Sequence, residues 1–100
     1  MTHTVLASGT ATAHVTNVRV DQSGKGIVYF DQNLVGSPAC TVAGYENGLA
    51  FDASTPGGKA ILARALAAKA TGDLIKVIGT GTCTIYGGTW AEDWLYGDYE

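Results

Sequence analysis

Ser8, Ser23, Ser37 and Ser54 are the serine nucleophiles this chain offers, and none of them sits in a Gly-x-Ser-x-Gly elbow. The histidines are His3 and His14, both near the N-terminus, and neither falls into a visible Ser/His/Asp triad. His14 shares a strand face with Thr12 and Thr16 by period two, a polar stripe able to meet a polar ligand. The plainer alternative is a half-exposed strand histidine. Glu92 and Asp93, and again Asp98 and Glu100, place carboxylates in pairs, as acid/base hydrolysis requires. Their setting in a polar tail reads instead as a solvated face, and no Asp-x-Asp-x-Asp-Gly order marks a cation loop. The expectation is therefore no catalytic residue, no metal site and no cofactor.

Two glycine-rich stretches, Pro56-Gly57-Gly58-Lys59 and Gly79-Thr80-Gly81, invite comparison with phosphate loops. Gly58-Lys59 is followed by Ala60, not Ser or Thr, and lacks the upstream glycine of a Walker loop. Free amides at a helix N-terminus still leave Gly57 and Gly58 as anion-binding candidates. The aromatic set is richer: Tyr29, Phe30, Tyr45, Phe51, Tyr86, Trp90, Trp94, Tyr96 and Tyr99. Phe30 and Phe51 read as core. The polar-tipped rings suit stacking on sugar or packing on a neighbouring subunit, and Trp90, Trp94 and Tyr96 are the expected interface residues. Cys40 and Cys83 lie too far apart for a CxxC redox motif or a zinc knuckle. A disulfide and a pair of buried thiols are both open to them.

Composition bounds the partners. Hydrophobic residues make up 46% of the 100-residue chain and charged residues 15%, which describes one folded domain rather than a disordered chain. The net charge of -3 and the scattered Lys and Arg offer no basic stripe for nucleic acid. The longest apolar stretch, Ala60 to Ala68, is broken by Arg64 and falls short of the roughly 20 residues that span a bilayer. Residues 1–13 carry no basic and apolar leader pattern.

The elements that would position these residues follow in order. His14–Asp21 and Ile27–Asp31 read as a β-hairpin, with a bulge or bend between Val15 and Val18. Ala39–Ala43 reads as a third strand. Gly44–Gly48 is a tight turn, and Leu49–Asp52 the strand returning from it. Ser54-Thr55-Pro56 starts a helix, with Pro56 at its first position. Ile61, Leu62, Ala65, Leu66 and Ala68 or Lys69 form its buried face, and Gly72 is its left-handed cap. Asp73–Gly79 and Thr82–Tyr86 read as the last main strands. Trp90–Tyr99 is a final strand or an ordered extension. Residues 1–12 form an N-terminal arm and residues 13–100 one domain. This order, mainly β with one helix before the last two main strands, is that of the OB-fold, a five-stranded Greek-key barrel. Its competitor is an α+β sheet with the helix across one face.

The hairpin, Pro38-Ala39-Cys40-Thr41-Val42, the helix ending Ala70-Thr71-Gly72, then Ile75-Lys76-Val77 and Gly79-Thr80-Gly81-Thr82-Cys83, together resemble the B subunit of subtilase cytotoxin and related AB5 toxin B-subunit-like proteins. The similarity covers roughly residues 13–86. It implies an OB-fold, a secreted or periplasmic location, and a disulfide joining Cys40 to Cys83. It also implies a homo-oligomer, a ring of five, that binds sialylated or other cell-surface glycans beside a catalytic A subunit. The glycan site it implies falls near Thr12, Ala13 and His14, with Lys69 beside them. The expected function is a secreted binding module without catalysis; the alternative is a structural or assembly protein of a phage or bacterial envelope.

Overall fold

The structure, a computed structural model, describes residues 8–99. His3 and the rest of residues 1–7 lie outside the described residues, as does Glu100. Strand β1 (Thr10–Ala13) is followed after a single residue, His14, by β2 (Val15–Val20). Next come β3 (Lys25–Phe30), β4 (Gly48–Asp52), helix α1 (Pro56–Thr71), β5 (Ile75–Gly79) and β6 (Glu92–Tyr99). The six strands form one sheet in the order β1-β5-β6-β4-β3-β2. Neighbours are antiparallel except β4 and β6, which run parallel through Leu49↔Glu92 and Ala50↔Asp93.

That order forces curvature. In a flat sheet, five steps of about 4.8 Å would put the outermost strands about 24 Å apart, whereas one intervening residue spans about 7 Å. Because β1 and β2 are those outermost strands and only His14 separates them, the sheet curls into a half-barrel. A register shift between Val15 and Asn17 adds to the bend, as the break in alternation predicted.

Inside the curl lie Ala13, Val15, Val28, Phe30, Leu34, Leu49, Phe51, Ile75 and Val77, and α1 contributes Ala65 and Ala68. The helix is bounded by local chemistry. Thr55 Oγ1 accepts from Gly58 N–H (2.9 Å), Pro56 takes the first helical position, and Gly72 closes the C-terminus at φ 74° with its N–H on Ala68 O (2.9 Å). Ile61 and Leu62 are half-buried, but Leu66 is 49% exposed and Lys69 points to solvent, so the buried face is narrower than the spacing suggested. Residues three apart, Ala65 and Ala68, carry it, and their small side chains let the helix lie close to the sheet.

A second cluster sits on the other face of β3 and β4. Ile27, Ala50 and Ala91 are fully buried there beneath Tyr29, Tyr45, Ile85 and Tyr86. Two expected strands make this cover instead of joining the sheet. Ala39–Ala43 is a run of turns, with Thr41 N–H on Pro38 O (3.0 Å) and Tyr45 N–H on Val42 O (2.9 Å); Thr41 makes an isolated bridge to Trp90. The turn at Gly44–Gly48 therefore leads into β4 from a loop, and β4 pairs with β3. Thr82–Tyr86 is also irregular, because its polar groups turn to the Asp93 carboxylate rather than to a strand ladder. Within the arm expected over residues 1–12, Thr10–Thr12 belong to β1, which pairs with β5 from Thr10↔Ile78 to Ala13↔Ile75.

Candidate functional site

The acidic pair at the start of β6 is not solvated. Glu92 is 1% exposed and Asp93 is 5% exposed. Successive strand residues face opposite ways, so Glu92 and Trp94 point into the half-barrel while Ala91 and Asp93 point out beneath the covering loops. Glu92 accepts from Gly9 N–H on both oxygens (3.0 Å each) and from Gly81 N–H (2.7 Å). Burial pushes its carboxyl above the usual range, against the pull of those amides and with the help of the neighbouring Asp93 charge. Gly79 is needed here, because a Cβ at that position would lie 2.2 Å from the Glu92 carboxyl. Asp93 accepts from Thr82 Oγ1 (3.0 Å), Thr84 N–H (2.9 Å), the Thr84 hydroxyl and Ile85 N–H (3.0 Å). Every donor on both carboxylates is a main-chain amide or a hydroxyl, so the pair holds loops in place. Among the described residues no group of three or more His, Cys, Asp or Glu is placed to hold a metal ion.

Above Asp93 the loops converge on an aromatic surface. Tyr45 and Tyr86 both lie nearly parallel to Trp90, with ring centroids at 6.2 and 5.8 Å and interplanar angles of 14° and 25°. Tyr29 continues the group, 6.4 Å from Tyr45. The Cys40–Cys83 disulfide ties the two loops together across a sequence separation of 43. Val42 N–H donates to Trp90 O (2.9 Å), and Tyr86 OH donates to Asp21 Oδ2 (2.6 Å), which anchors the surface to the β2–β3 hairpin. Asp21 Oδ1 also accepts from Arg19 Nε at 2.7 Å. The Tyr86 hydroxyl and then the Arg19 guanidinium hold the Asp21 carboxyl below its ordinary range, while burial raises that of Tyr86. Trp90 is the one non-glycine residue with positive φ among the described residues, at 74°, yet it leaves 43% of its surface exposed. Backbone strain of this kind costs about 1–3 kcal/mol and gathers at ligand-contacting positions.

The other sequence candidates lie elsewhere. Thr12 is exposed on β1, paired with Lys76, and His14 occupies the bend beyond it. His14 Nδ1 lies 2.9 Å from Asp31 Oδ2, its N–H donates to Asp31 Oδ1 (3.0 Å), and these contacts hold the Asp31 carboxyl below its usual range. Lys69 stands in the last turn of α1, and among the described residues no hydrogen bond or ion pair joins it to Thr12 or His14. Trp94 seals the core edge against Phe30 (6.2 Å), and Tyr96 is 45% exposed on β6; among the described residues no ring contact joins either of them to Trp90. Gly58 N–H is spent on Thr55, and a Cβ on Gly58 would meet Asp52 O at 1.6 Å, which makes Gly58 a packing residue rather than part of an anion loop. The burial of Glu92 and Asp93 was missed by sequence reasoning; the usable signal was the alternation Ala91-Glu92-Asp93-Trp94, which sets Ala91 and Trp94 on opposite faces of a strand.

No protein-family model, no curated protein and no solved structure matches the chain.

Proposed function

We propose that this chain is a secreted binding domain that recognises a cell-surface glycan or glycan-bearing receptor without catalysis, and that Trp90, Tyr45 and Tyr86 form its contact surface. The observation that carries the proposal is Trp90 itself. A large ring is kept partly in solvent, on a strained backbone, by a disulfide and two stacked tyrosines. A chain optimised only for stability would bury that ring or place a glycine at that φ. Flat aromatic rings with hydroxyl neighbours suit the mixed apolar and polar faces of a pyranose. The disulfide favours an oxidising compartment, in keeping with secretion.

The fold belongs to the same proposal. Counted as one bent strand, β1 and β2 leave five strands, with the helix between the third and fourth and a parallel contact between the third and fifth. That arrangement supports an OB-type barrel and, with Cys40 bonded to Cys83, the likeness to AB5 toxin B subunits.

The test is a glycan array followed by titration of the best sugar, read by tryptophan fluorescence. Saturable binding that Trp90→Ala abolishes while His14→Ala preserves is the expected result. Loss with His14→Ala alone would move the site to the region of Thr12 and Lys69, and no saturable sugar at all would sink the proposal.

A further inference from the structure

A phenol hydroxyl lies in the plane of its ring, so the bond from Tyr86 OH to Asp21 Oδ2 (2.6 Å) sets the Asp21 carboxylate at the edge of Tyr86, the ring that stacks on Trp90 at 5.8 Å. Arg19 Nε–H holds the other oxygen, Oδ1, at 2.7 Å. A carboxylate can accept about four hydrogen bonds, and among the described residues these two are the ones made to it. The Asp21 side chain keeps 26% of its surface exposed, so acceptor positions remain within reach of solvent beside the rings. The surroundings are short of cations. Residues 31–47 and 80–91, which supply Tyr45, Tyr86 and Trp90, contain no lysine or arginine, whereas they contain Asp31 and Glu46. Arg19 is bonded to Asp21, and Lys25, two residues before Ile27 on the same strand face, stands opposite Asp52.

We infer that Asp21 is the specificity-determining residue of the ring surface: it accepts a hydrogen bond from a hydroxyl of a neutral pyranose stacked on Trp90 and Tyr86, and it turns away a sugar that carries a carboxylate. The inference rests on the glycan reading and names the class of sugar within it. A stacked pyranose presents its C–H face to the rings and its hydroxyls around its perimeter, where an acceptor-only group at the ring edge meets a donor. A ligand carboxylate at that edge would instead meet Asp21, with the nearby Arg19 charge already matched. Arg19 and Tyr86 act through Asp21 by fixing its orientation, and are positioning residues. A carboxylate that served only to fasten Tyr86 would be indifferent to the charge of the sugar, and this separates the two roles.

The test is fluorescence titration of the full chain with the methyl glycosides of glucose, galactose and mannose and of their uronic acids, which repeat the ring hydroxyls and add a carboxylate at C6. The expected result is saturable binding of at least one neutral glycoside, with its uronic acid bound about tenfold or more weakly at low salt and the gap narrowing as salt rises. Asp21→Asn is expected to weaken the neutral sugar about tenfold, as loss of a hydrogen bond to a charged acceptor does, and to shrink the gap. The salt-dependent gap is read on the unmodified protein and so does not depend on how well the variant folds. A sugar whose binding Trp90→Ala abolishes, but whose uronic acid binds as well or better, or whose affinity and preference Asp21→Asn leaves unchanged, would overturn this inference and leave the ring surface standing. Binding indifferent to Trp90→Ala, or no saturable sugar at all, would remove the glycan reading and this inference with it.

Discussion

Asp93→Ala is the most informative single substitution, because one carboxylate holds most of the segment between Thr82 and Ile85. Four donors converge on it, two main-chain amides and two threonine hydroxyls. Hydrogen bonds to a charged acceptor contribute about 1.5–3 kcal/mol each, and the full sum is not lost, since water reaches this part-buried loop and replaces some of them. A loss of about 2–4 kcal/mol follows, a large share of the roughly 5–15 kcal/mol that stabilises a domain of this size. Urea denaturation of the variant against the parent protein measures it. Asp93→Asn is the companion: it keeps one acceptor oxygen but sets an NH₂ against an amide or hydroxyl donor, so it should recover only part of the loss. The effect should also be local before it is global. Hydrogen exchange at Thr84 and Ile85 and the near-ultraviolet signal of Tyr86 and Trp90 should change under conditions where the half-barrel remains folded. A change below about 0.5 kcal/mol, with undiminished protection at Thr84 and Ile85, would refute the role given to this carboxylate.

Reducing the Cys40–Cys83 bond, or replacing both cysteines with alanine, opens a loop with a sequence separation of 43. The chain-entropy relation puts the loss at about 4 kcal/mol, read as a shift of the denaturation midpoint, and an unshifted midpoint would contradict it. Glu92 should leave a pH signature opposite to that of an ion-paired carboxylate. Its folded-state value lies above its unfolded one, so its stabilising contribution is complete below the ordinary carboxylate range and fades as pH rises through the folded value. Comparing Glu92→Gln with the parent across acid to neutral pH isolates that slope; a stability difference that does not vary with pH, or grows with it, would count against the burial argument.

What could be read from the chain was what neighbours along the chain decide. Thr55-Pro56 at one end of α1 and Gly72 at the other fix the helix through contacts within four residues, and both ends stand where their residue types indicate. Phe30 and Phe51 announce the core because apolar strand residues bury whatever the topology. The failures are non-local. Ala39–Ala43 and Thr82–Tyr86 have strand-like composition, but the first folds back on its own turns and the second meets a carboxylate on another element. Glu92 looks like tail chemistry until Gly9, 83 residues away, is seen to bond to it. The aromatic surface was half visible: Tyr45, Tyr86 and Trp90 were all marked, but only the disulfide-linked loops bring them into one group.

His14, alone between β1 and β2, makes the two outermost strands a single length of chain. Register is thereby shared across the molecule. Were β1 to slide by one residue along β5, β2 would have to slide along β3 or His14 would have to absorb the whole displacement, and a one-residue slide turns Ala13 or Val15 from the interior to water. Neither end of the sheet can peel away unaided, so fraying, which ordinarily begins at the outermost strand, has no independent starting point here. The half-barrel should come apart as one unit.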